Sequence, residues 1–438
     1  MKSELPRKVP FLLIYCLIAH ASIVHGQATF PANFSVVPPN IPQRTFKLTD
    51  FGAVGDGKTL NTIAITQAIS ACDKAGGGVL DVPPGTYLTG PFELCSSLDL
   101  HLEAGATILL TGSPKDFDLQ DGSFQNCISL KDGHDIAITG AGTIDGQGSY
   151  FWHHYVPPKN VDLKQYAWMP KRPKLIVLTR CVRVLVRDVT LRNSPMFHLV
   201  PAMCREVLID NIHILSPVPS PNTDGIDPSG FDYLIRGCTI DTGDDCIAVK
   251  GGERYDPARP SCENILITHC VFLRGHGMSI GSETYGGVRN MLVRDCSFNG
   301  TEAGIRLKSP RGRGGVAEYL TYEHLSMKNV LNSILITSYY PKIPTDFNAD
   351  KTTEAQKRIA QWQHIRINDV VSTDGVIAGQ IVGLPEMPIQ DVVLTNVSIS
   401  AAQPMQIAHA RGIQFINCDI SSASGSPIIV DAVVDGLK

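Results

Sequence analysis

A pattern of apolar residues at relative positions 0, +2, +5 and +7 recurs along the chain, and it restricts the possible fold more than any other feature. Alternation with a period of two indicates a strand, and the three-residue step from +2 to +5 indicates a corner. A further apolar pair, such as Ile247 and Val249, follows several copies and predicts a third strand. Successive copies start 21 to 45 residues apart, at Val184, Val207, Tyr233, Ile265, Met291, Leu320, Ile365, Val392 and Ile413.

A repeat of this size, with several short strands in each copy, is typical of a solenoid. We therefore predict an all-β fold, a single-stranded right-handed parallel β-helix. Two longer copies, with extra residues at 251–261 and 341–361, are expected to project as loops beside the polar motifs described below.

The front of the chain differs from the repeats. Residues 61–74 carry apolar side chains at helical spacing, and the spacing stops at three consecutive glycines, Gly76 to Gly78. A helix here would cover the open end of the coil stack, which otherwise exposes unpaired strand edges. We predict an N-terminal cap over about 45–95 within a single catalytic domain, 27–438.

The first residues predict a targeting segment. Lys2, Arg7 and Lys8 precede an apolar run over 11–24 that is too short to span a bilayer, so a signal peptide is expected over 1–26. This predicts a secreted protein of the extracellular space or cell wall, or of the periplasm in a Gram-negative bacterium, with no membrane partner. The net charge of −4 argues against nucleic acid as a partner, and a monomer is expected.

Three cysteines, Cys238, Cys270 and Cys296, share one position of the repeat and are expected to stack as buried free thiols. No paired Cys or His spacing typical of zinc occurs, so neither a metal nor another cofactor is expected.

Polar motifs lie near the start of the third strand on four consecutive copies. Stacked strands are ~4.8 Å apart, so such a row would extend roughly 14 Å along a groove, which suits a polymer. The motifs are Asn222-Thr-Asp224, Gly243-Asp244-Asp245-Cys246, Gly275-His276-Gly277 and Arg306-Leu-Lys308.

Cleavage of a glycosidic bond needs one protonated carboxyl and one carboxylate, and crowding of carboxyl groups raises the pKa of at least one of them. Asp224, Asp244 and Asp245 offer this crowding. Adjacent residues of a regular strand face opposite sides, so Asp244 and Asp245 can share a site only if Gly243 bends the chain. Each motif alone is more typical of a turn or a solvated surface, but their common position in the repeat favours a site.

The ordered set NTDGID (222–227), TGDDC (242–246), GHGMSIGS (275–282) and RLK (306–308) resembles glycoside hydrolase family 28, the polygalacturonases. FGAVGDGKT (51–59) and GTIDGQG (142–148) resemble the leading segments of the same family. The resemblance extends over the chain from about Phe51 and implies an inverting glycosidase that acts on an acidic polysaccharide, pectin or homogalacturonan.

The resemblance also implies the role of individual residues. Asp244 would be the general acid, and Asp224 and Asp245 would hold and deprotonate the attacking water. His276 would support the protonation of the acid. The remaining implied residues are Asn222 in the pocket wall, Arg306 and Lys308 as receptors of the galacturonate carboxylate, Tyr339 or Tyr340 at the sugar, and a disulfide between Cys246 and Cys262.

Three alternatives remain open from the sequence. A rhamnogalacturonan or xylogalacturonan hydrolase would use the same fold, although Arg306 and Lys308 favour a uronate beside the cut. A calcium-dependent pectate lyase would use the Asp cluster as ligands. A carbohydrate-binding protein without activity would need none of the ionisable groups, all of which are present.

Overall fold

The computed structural model describes residues 30–31, 33–118, 124–152, 172–252, 261–347, 350 and 358–438. These residues form a right-handed parallel β-helix in which the chain passes through three faces on each coil, and this confirms the predicted fold class. The predicted signal peptide and most of the two predicted loops lie outside the described residues. No helix among the described residues has the length and apolar character needed to cross a bilayer.

Strands of successive coils pair in parallel on each face. The first face contains Thr45–Lys47, Gly78–Val82, Leu98–Leu102, His134–Thr139, Val182–Arg187, Cys204–Asp210, Gly230–Arg236, Cys262–Thr268, Val288–Arg294, Ala410–Ile416 and Val434–Asp435. The second contains Asp56–Leu60, Gly85–Thr89, Ala106–Leu110, Thr143–Asp145, Thr190–Arg192, His213–Leu215, Thr239–Asp241, Val271–Arg274, Ser297–Asn299 and Asp419–Ser422.

The third face carries the polar motifs. It contains Phe92–Glu93, Ile128–Lys131, Ile176–Thr179, Leu199–Ala202, Ile247–Val249, Met278–Ile280, Ala303–Lys308, Asn332–Thr337 and Ile428–Val430. Three long strands pass through corners and contribute to more than one face: Val316–Lys328, Gln361–Val382 and Ile389–Ala408.

The apolar pattern places its side chains in one continuous core. Tyr233 pairs in register with Ile265, which pairs with Met291 on the next coil, and all three are buried. Burial of apolar area contributes roughly 25 cal/mol for each Å² removed from water, so each added coil extends the same stabilising column. The column fixes the register, because a shift of one residue would turn the apolar side chains towards solvent.

The N-terminal end is covered by an α-helix, Thr62–Lys74, as the sequence predicts. Its buried side chains are Ile65, Ala68, Ile69 and Cys72, which face the first coils. The helix ends where Gly76 and Gly77 adopt positive φ angles of 78° and 101°, and the amide of Gly77 donates to the carbonyl of Cys72 at 2.8 Å. Shorter helical segments are the α-helix Ser149–Trp152 and the 3₁₀ turns Leu48–Phe51 and Pro114–Phe117.

The cysteines confirm one prediction and correct another. Cys238, Cys270 and Cys296 are buried free thiols, and the amide of Cys270 contacts Cys296 Sγ at 3.4 Å, as expected for a stacked ladder. The disulfide between Cys246 and Cys262 is wrong, because both thiols are free and buried. Cys246 Sγ instead lies 3.0 Å from the carbonyl of Arg274, and Cys262 begins a strand of the first face, away from that turn.

The strand Gln361–Val382 offers a matched test of the core. Val370 is 0% exposed and pairs with Leu325 and Val397, whereas its neighbour Val371 is 51% exposed. We expect Val370→Ala to lower the free energy of unfolding by about 2 kcal/mol, because buried methyl groups are removed and a cavity remains. Val371→Ala should cost less than about 1 kcal/mol, the range of β-propensity alone. Urea denaturation of both variants measures the difference, and equal losses would contradict the proposed register.

Candidate active site

The third face brings the polar motifs of consecutive coils into contact. Backbone hydrogen bonds join them: the amide of Gly225 donates to the carbonyl of Asp245 at 2.9 Å, and the amide of His276 donates to the carbonyl of Asp244 at 2.8 Å. Ile226 forms a parallel β-bridge with Leu199 on one side and with Ile247 on the other. The third face is therefore continuous between the strands that begin at these two residues. Residues that are far apart in sequence therefore lie on adjacent rungs.

A bend at Gly243 allows both neighbouring aspartates to face the same site. The chain leaves strand geometry at Gly243 and Asp244, as the sequence requires for a shared site. A Cβ at position 243 would lie 2.1 Å from the carbonyl oxygen of Ser220, so only glycine fits this close approach. The hydroxyl of Thr223 accepts the amide of Gly243 at 3.0 Å and fixes the bend to the preceding coil.

Asp245 is a buried, fully partnered carboxylate. Ser279 Oγ donates to it at 2.7 Å, and Arg306 Nη1 and Lys308 Nζ each lie 2.7 Å from one of its oxygens. Burial opposes its ionisation, but the charges of Lys308 and Arg306 outweigh burial and hold its pKa far below the usual range. Asp245 is therefore an ionised hydrogen-bond acceptor.

Asp244 and His276 form an ion pair, with Nδ1 of the imidazole 3.0 Å from Oδ1 of the carboxylate. The other ring nitrogen, Nε2, lies 3.0 Å from Oε2 of Glu302. Burial disfavours a charged imidazole, but the two carboxylates raise the pKa of His276 to about 9. Burial likewise opposes ionisation of Asp244, yet the contact with His276 keeps its pKa below the ordinary value.

Asp224 differs from Asp244 and Asp245, because its pKa is raised and not lowered. Its side chain is 4% exposed, and its Oδ1 has no hydrogen-bond partner among the described residues. Burial, followed by the negative charge of Asp244, raises its pKa well above the ordinary value. The ring of His198 lies 3.0 Å from the carbonyl of Asp224 through Nδ1, and burial lowers the pKa of His198 to about 4, so this histidine is neutral.

Asn222 links the motifs to the preceding coil. Its Nδ2 donates to Oδ2 of Asp244 at 3.3 Å, and its Oδ1 accepts from Nη2 of Arg172 at 2.8 Å. Asn222 thus orients the carboxyl group that the sequence predicts as the acid.

The two predicted tyrosines separate. Lys308 Nζ lies 5.2 Å from the ring centroid of Tyr340, which places Tyr340 at the site. Tyr339 is 8% exposed, and its hydroxyl donates to Asp350 at 2.5 Å beside Arg311. Of the two tyrosines that the sequence leaves open, Tyr340 is therefore the one that we expect at the sugar, because its ring faces Lys308 and the hydroxyl of Tyr339 is bonded to Asp350.

The side chains of Asp244, Asp245 and His276 offer ligand atoms within 4.8 Å of one another. Asp245 is already paired with Arg306 and Lys308, and a protonated imidazole has no free lone pair for a metal. Three positive charges would repel a cation here, so this arrangement favours proton transfer over metal binding.

Several charged residues of the site were not found from the sequence. Glu302 lies on the coil after His276, and its position four residues before Arg306 was the available signal. Ser279 lies within the GHGMSIGS motif. Lys250 and Asp227 lie within or next to quoted motifs, in DDCIAVK and NTDGID, and Glu283 follows the third of them.

Comparison with known proteins finds matches over most of the chain. The family model described as glycosyl hydrolases family 28 matches residues 72–418. A probable polygalacturonase of Vitis vinifera is 33% identical over 86% of this chain and 77% of its own length. An endo-polygalacturonase of Pectobacterium parmentieri is 32% identical over 80% of this chain and 87% of its own. The crystal structure of a hyperthermoactive exopolygalacturonase from Thermotoga maritima has a TM-score of 0.76 at 27% identity, over 90% of this chain and 95% of that one.

The contact between His276 and Glu302 predicts a measurable proton affinity. Glu302→Gln should lower the pKa of His276 from about 9, because one of its two carboxylate partners is lost. The ring resonances of His276, assigned with a His276→Gln variant, report this pKa in an NMR titration. Glu323→Gln, at a half-buried position of the strand Val316–Lys328, is the matched control and should leave it unchanged. An unchanged pKa in Glu302→Gln would contradict the ion pair.

Proposed function

The chain belongs to glycosyl hydrolase family 28, and from that premise we propose that it is a polygalacturonase that hydrolyses the α-1,4-galacturonosyl linkages of pectin. One observation carries the proposal: a carboxyl group paired with a protonated imidazole lies beside a carboxylate held by two buried cations. Acid, base and anion-binding groups therefore occur together on adjacent coils.

In the proposed reaction Asp244 gives a proton to the glycosidic oxygen. In the free enzyme that proton belongs to the His276 imidazolium, 3.0 Å away. A bound sugar would expel water, and a medium of lower polarity favours the neutral carboxyl–imidazole pair over the ion pair. The proton would therefore pass from His276 to Asp244 as the site fills.

The attacking water would be held by Asp245 and deprotonated by Asp224. As the water oxygen bonds to the anomeric carbon, the bond from that carbon to the leaving oxygen breaks and its electron pair takes the proton of Asp244. The proton of the water passes to Asp224 and then to solvent. A single displacement of this kind inverts the anomeric configuration.

The uronate would be recognised by Arg306 and Lys308. Each pairs with Asp245 through one nitrogen but keeps further donors, because a guanidinium group has five N–H bonds and an ammonium group has three. A carboxylate of the polymer placed here gains charge-assisted hydrogen bonds in a site that is largely shielded from water. Its added negative charge would also raise the pKa of Asp244, in the direction that an acid needs.

Hydrolysis of polygalacturonate tests this function. We expect saturated products that first appear as the β-anomer, read by NMR, with no increase in ultraviolet absorbance and no effect of a chelator. Asp244→Asn should lower kcat by at least about 100-fold, the usual share of general acid catalysis, while oligomers still bind. Asp374→Asn, at an exposed position within the strand Gln361–Val382, is the control.

Each contrary result has a meaning for this proposal. Unsaturated products that depend on calcium would indicate a lyase. Activity only on a rhamnose- or xylose-containing pectin would indicate a rhamnogalacturonan or xylogalacturonan hydrolase of the same family. Near-normal turnover of Asp244→Asn would contradict the role of this residue.

We also propose that the protein is secreted to the cell exterior or cell wall, which is where pectin occurs. The basic start and apolar run of residues 1–26 support this. Mass spectrometry of the protein from the culture medium of an expressing host should find a chain that begins near residue 27. A chain that keeps these residues and stays inside the cell would contradict the proposal.

A further inference from the structure

A buried lysine beside the catalytic aspartates has no role in the reaction described so far. Lys250 follows the strand Ile247–Val249, and its side chain is 15% exposed. Its ammonium nitrogen lies 3.4 Å from Asp227, 3.4 Å from Glu283 and 3.8 Å from Asp224. One cation is therefore shared by three carboxyl groups from two segments of the cleft, residues 222–227 and the turn that contains Glu283.

The carboxyl groups around Lys250 lack other partners. Neither oxygen of Asp227, nor Oδ1 of Asp224, accepts a hydrogen bond from the described residues, and both side chains are almost fully buried. An ionised carboxylate without donors is costly in such surroundings. Burial raises the pKa of Asp227 to about 7, and the charge of Lys250 opposes this rise.

Charged residues of neighbouring elements also act on the three carboxyl groups around Lys250, but they do not supply the missing hydrogen-bond donors. Asp244 and Asp245 add negative charge from the bend at Gly243. Lys174 acts on Asp227 and Glu283 from the preceding coils, and Arg313 acts on Glu283. Lys174 and Lys250 both lie over the ring of Phe197, at 5.0 and 5.4 Å from its centroid. Asp227 and Glu283 both lie nearer to Lys250 than Asp224 does, and of these two competitors only Asp227 is buried.

We propose that Lys250 is a positioning residue, which keeps Asp224 ionised to accept the proton of the attacking water while Asp227 competes for its charge. The inference rests on the proposed hydrolysis, because only a base needs Asp224 ionised. Lys250 lies 3.8 Å from Asp224, whereas Arg306 and Lys308 each lie 2.7 Å from Asp245. The two halves of the water-binding pair thus have separate cations.

The proposal predicts shifts of opposite sign in the acidic limb of kcat/KM against pH. Lys250→Met removes the cation, so the limb should move to higher pH by about one unit or more, as expected for a lost charge at this distance. Asp227→Asn removes the buried carboxyl group that competes with Asp224 for Lys250 and leaves the more exposed Glu283 as the other partner, so the limb should move to lower pH. Glu283→Gln should move it in the same direction by less, because Glu283 is 52% exposed. Lys250→Arg keeps the charge and should restore most of the wild-type profile.

Controls separate this proposal from a structural role and from failure of the proposed function. Lys328→Met makes the same replacement at an exposed strand end and should leave the limb in place.

If Lys250→Met fails to fold, the pH profile of Asp227→Asn decides, since this variant removes a carboxyl group at nearly constant side-chain volume. If the wild type does not hydrolyse polygalacturonate, the proposed function fails, and ¹³C-NMR titration of Asp224 still tests the cation: Lys250→Met must raise its pKa. An unmoved limb, or shifts of the same sign in Lys250→Met and Asp227→Asn, would overturn the inference.

Discussion

Parallel pairing between coils is the constraint on which the site depends. Backbone hydrogen bonds join each coil to the next, with neighbouring strands ~4.8 Å apart. A residue's position within its coil therefore determines which residues of the adjacent coils lie beside it. Gly225 bonds to Asp245, and His276 bonds to Asp244, through main-chain atoms alone. The hydrogen bonds between coils therefore bring the proposed acid, the proposed base and the cations onto adjacent coils, where their side chains contact one another.

The second constraint is a shortage of positive charge. The ion pairs of the site join six carboxyl groups to four cations, and the side chains of Asp224, Asp227 and Asp245 are at most 4% exposed. Because unpaired buried carboxylates are costly, the groups differ in how tightly each holds a proton. Asp245, with two cations, is ionised, whereas Asp224 and Asp227 share one and hold protons more tightly. Such unequal pKa values among neighbours are what acid and base catalysis require.

The sequence predicts the scaffold well because the apolar pattern repeats with few exceptions. The helix Thr62–Lys74, the buried columns and the common position of the four motifs follow from spacing alone. The sequence shows that Asp244 and Asp245 can share a site only if the chain bends at Gly243, but it does not predict the bend itself. The bend depends on the close approach of Gly243 to Ser220, which lies on a different coil.

Contacts that depend on side-chain direction could not be predicted. Tyr339 and Tyr340 are adjacent in sequence, and only the structure shows which of them faces Lys308. The resemblance to relatives suggested a disulfide that the free thiols of Cys246 and Cys262 contradict. Lys250 belongs to no sequence motif that would have identified it. It became a candidate only because the fold places three carboxyl groups within 3.8 Å of its ammonium nitrogen.

A crystal structure of Asp244→Asn with a bound galacturonate oligomer would test the central claim most directly. The account predicts an oligomer along the third face, with one uronate carboxylate within hydrogen-bond distance of Arg306 and Lys308 and the adjoining glycosidic oxygen beside residue 244. A water between Asp224 and Asp245 should face the anomeric carbon from the opposite side. An oligomer bound on another face, or one whose carboxylates avoid both cations, would contradict the account.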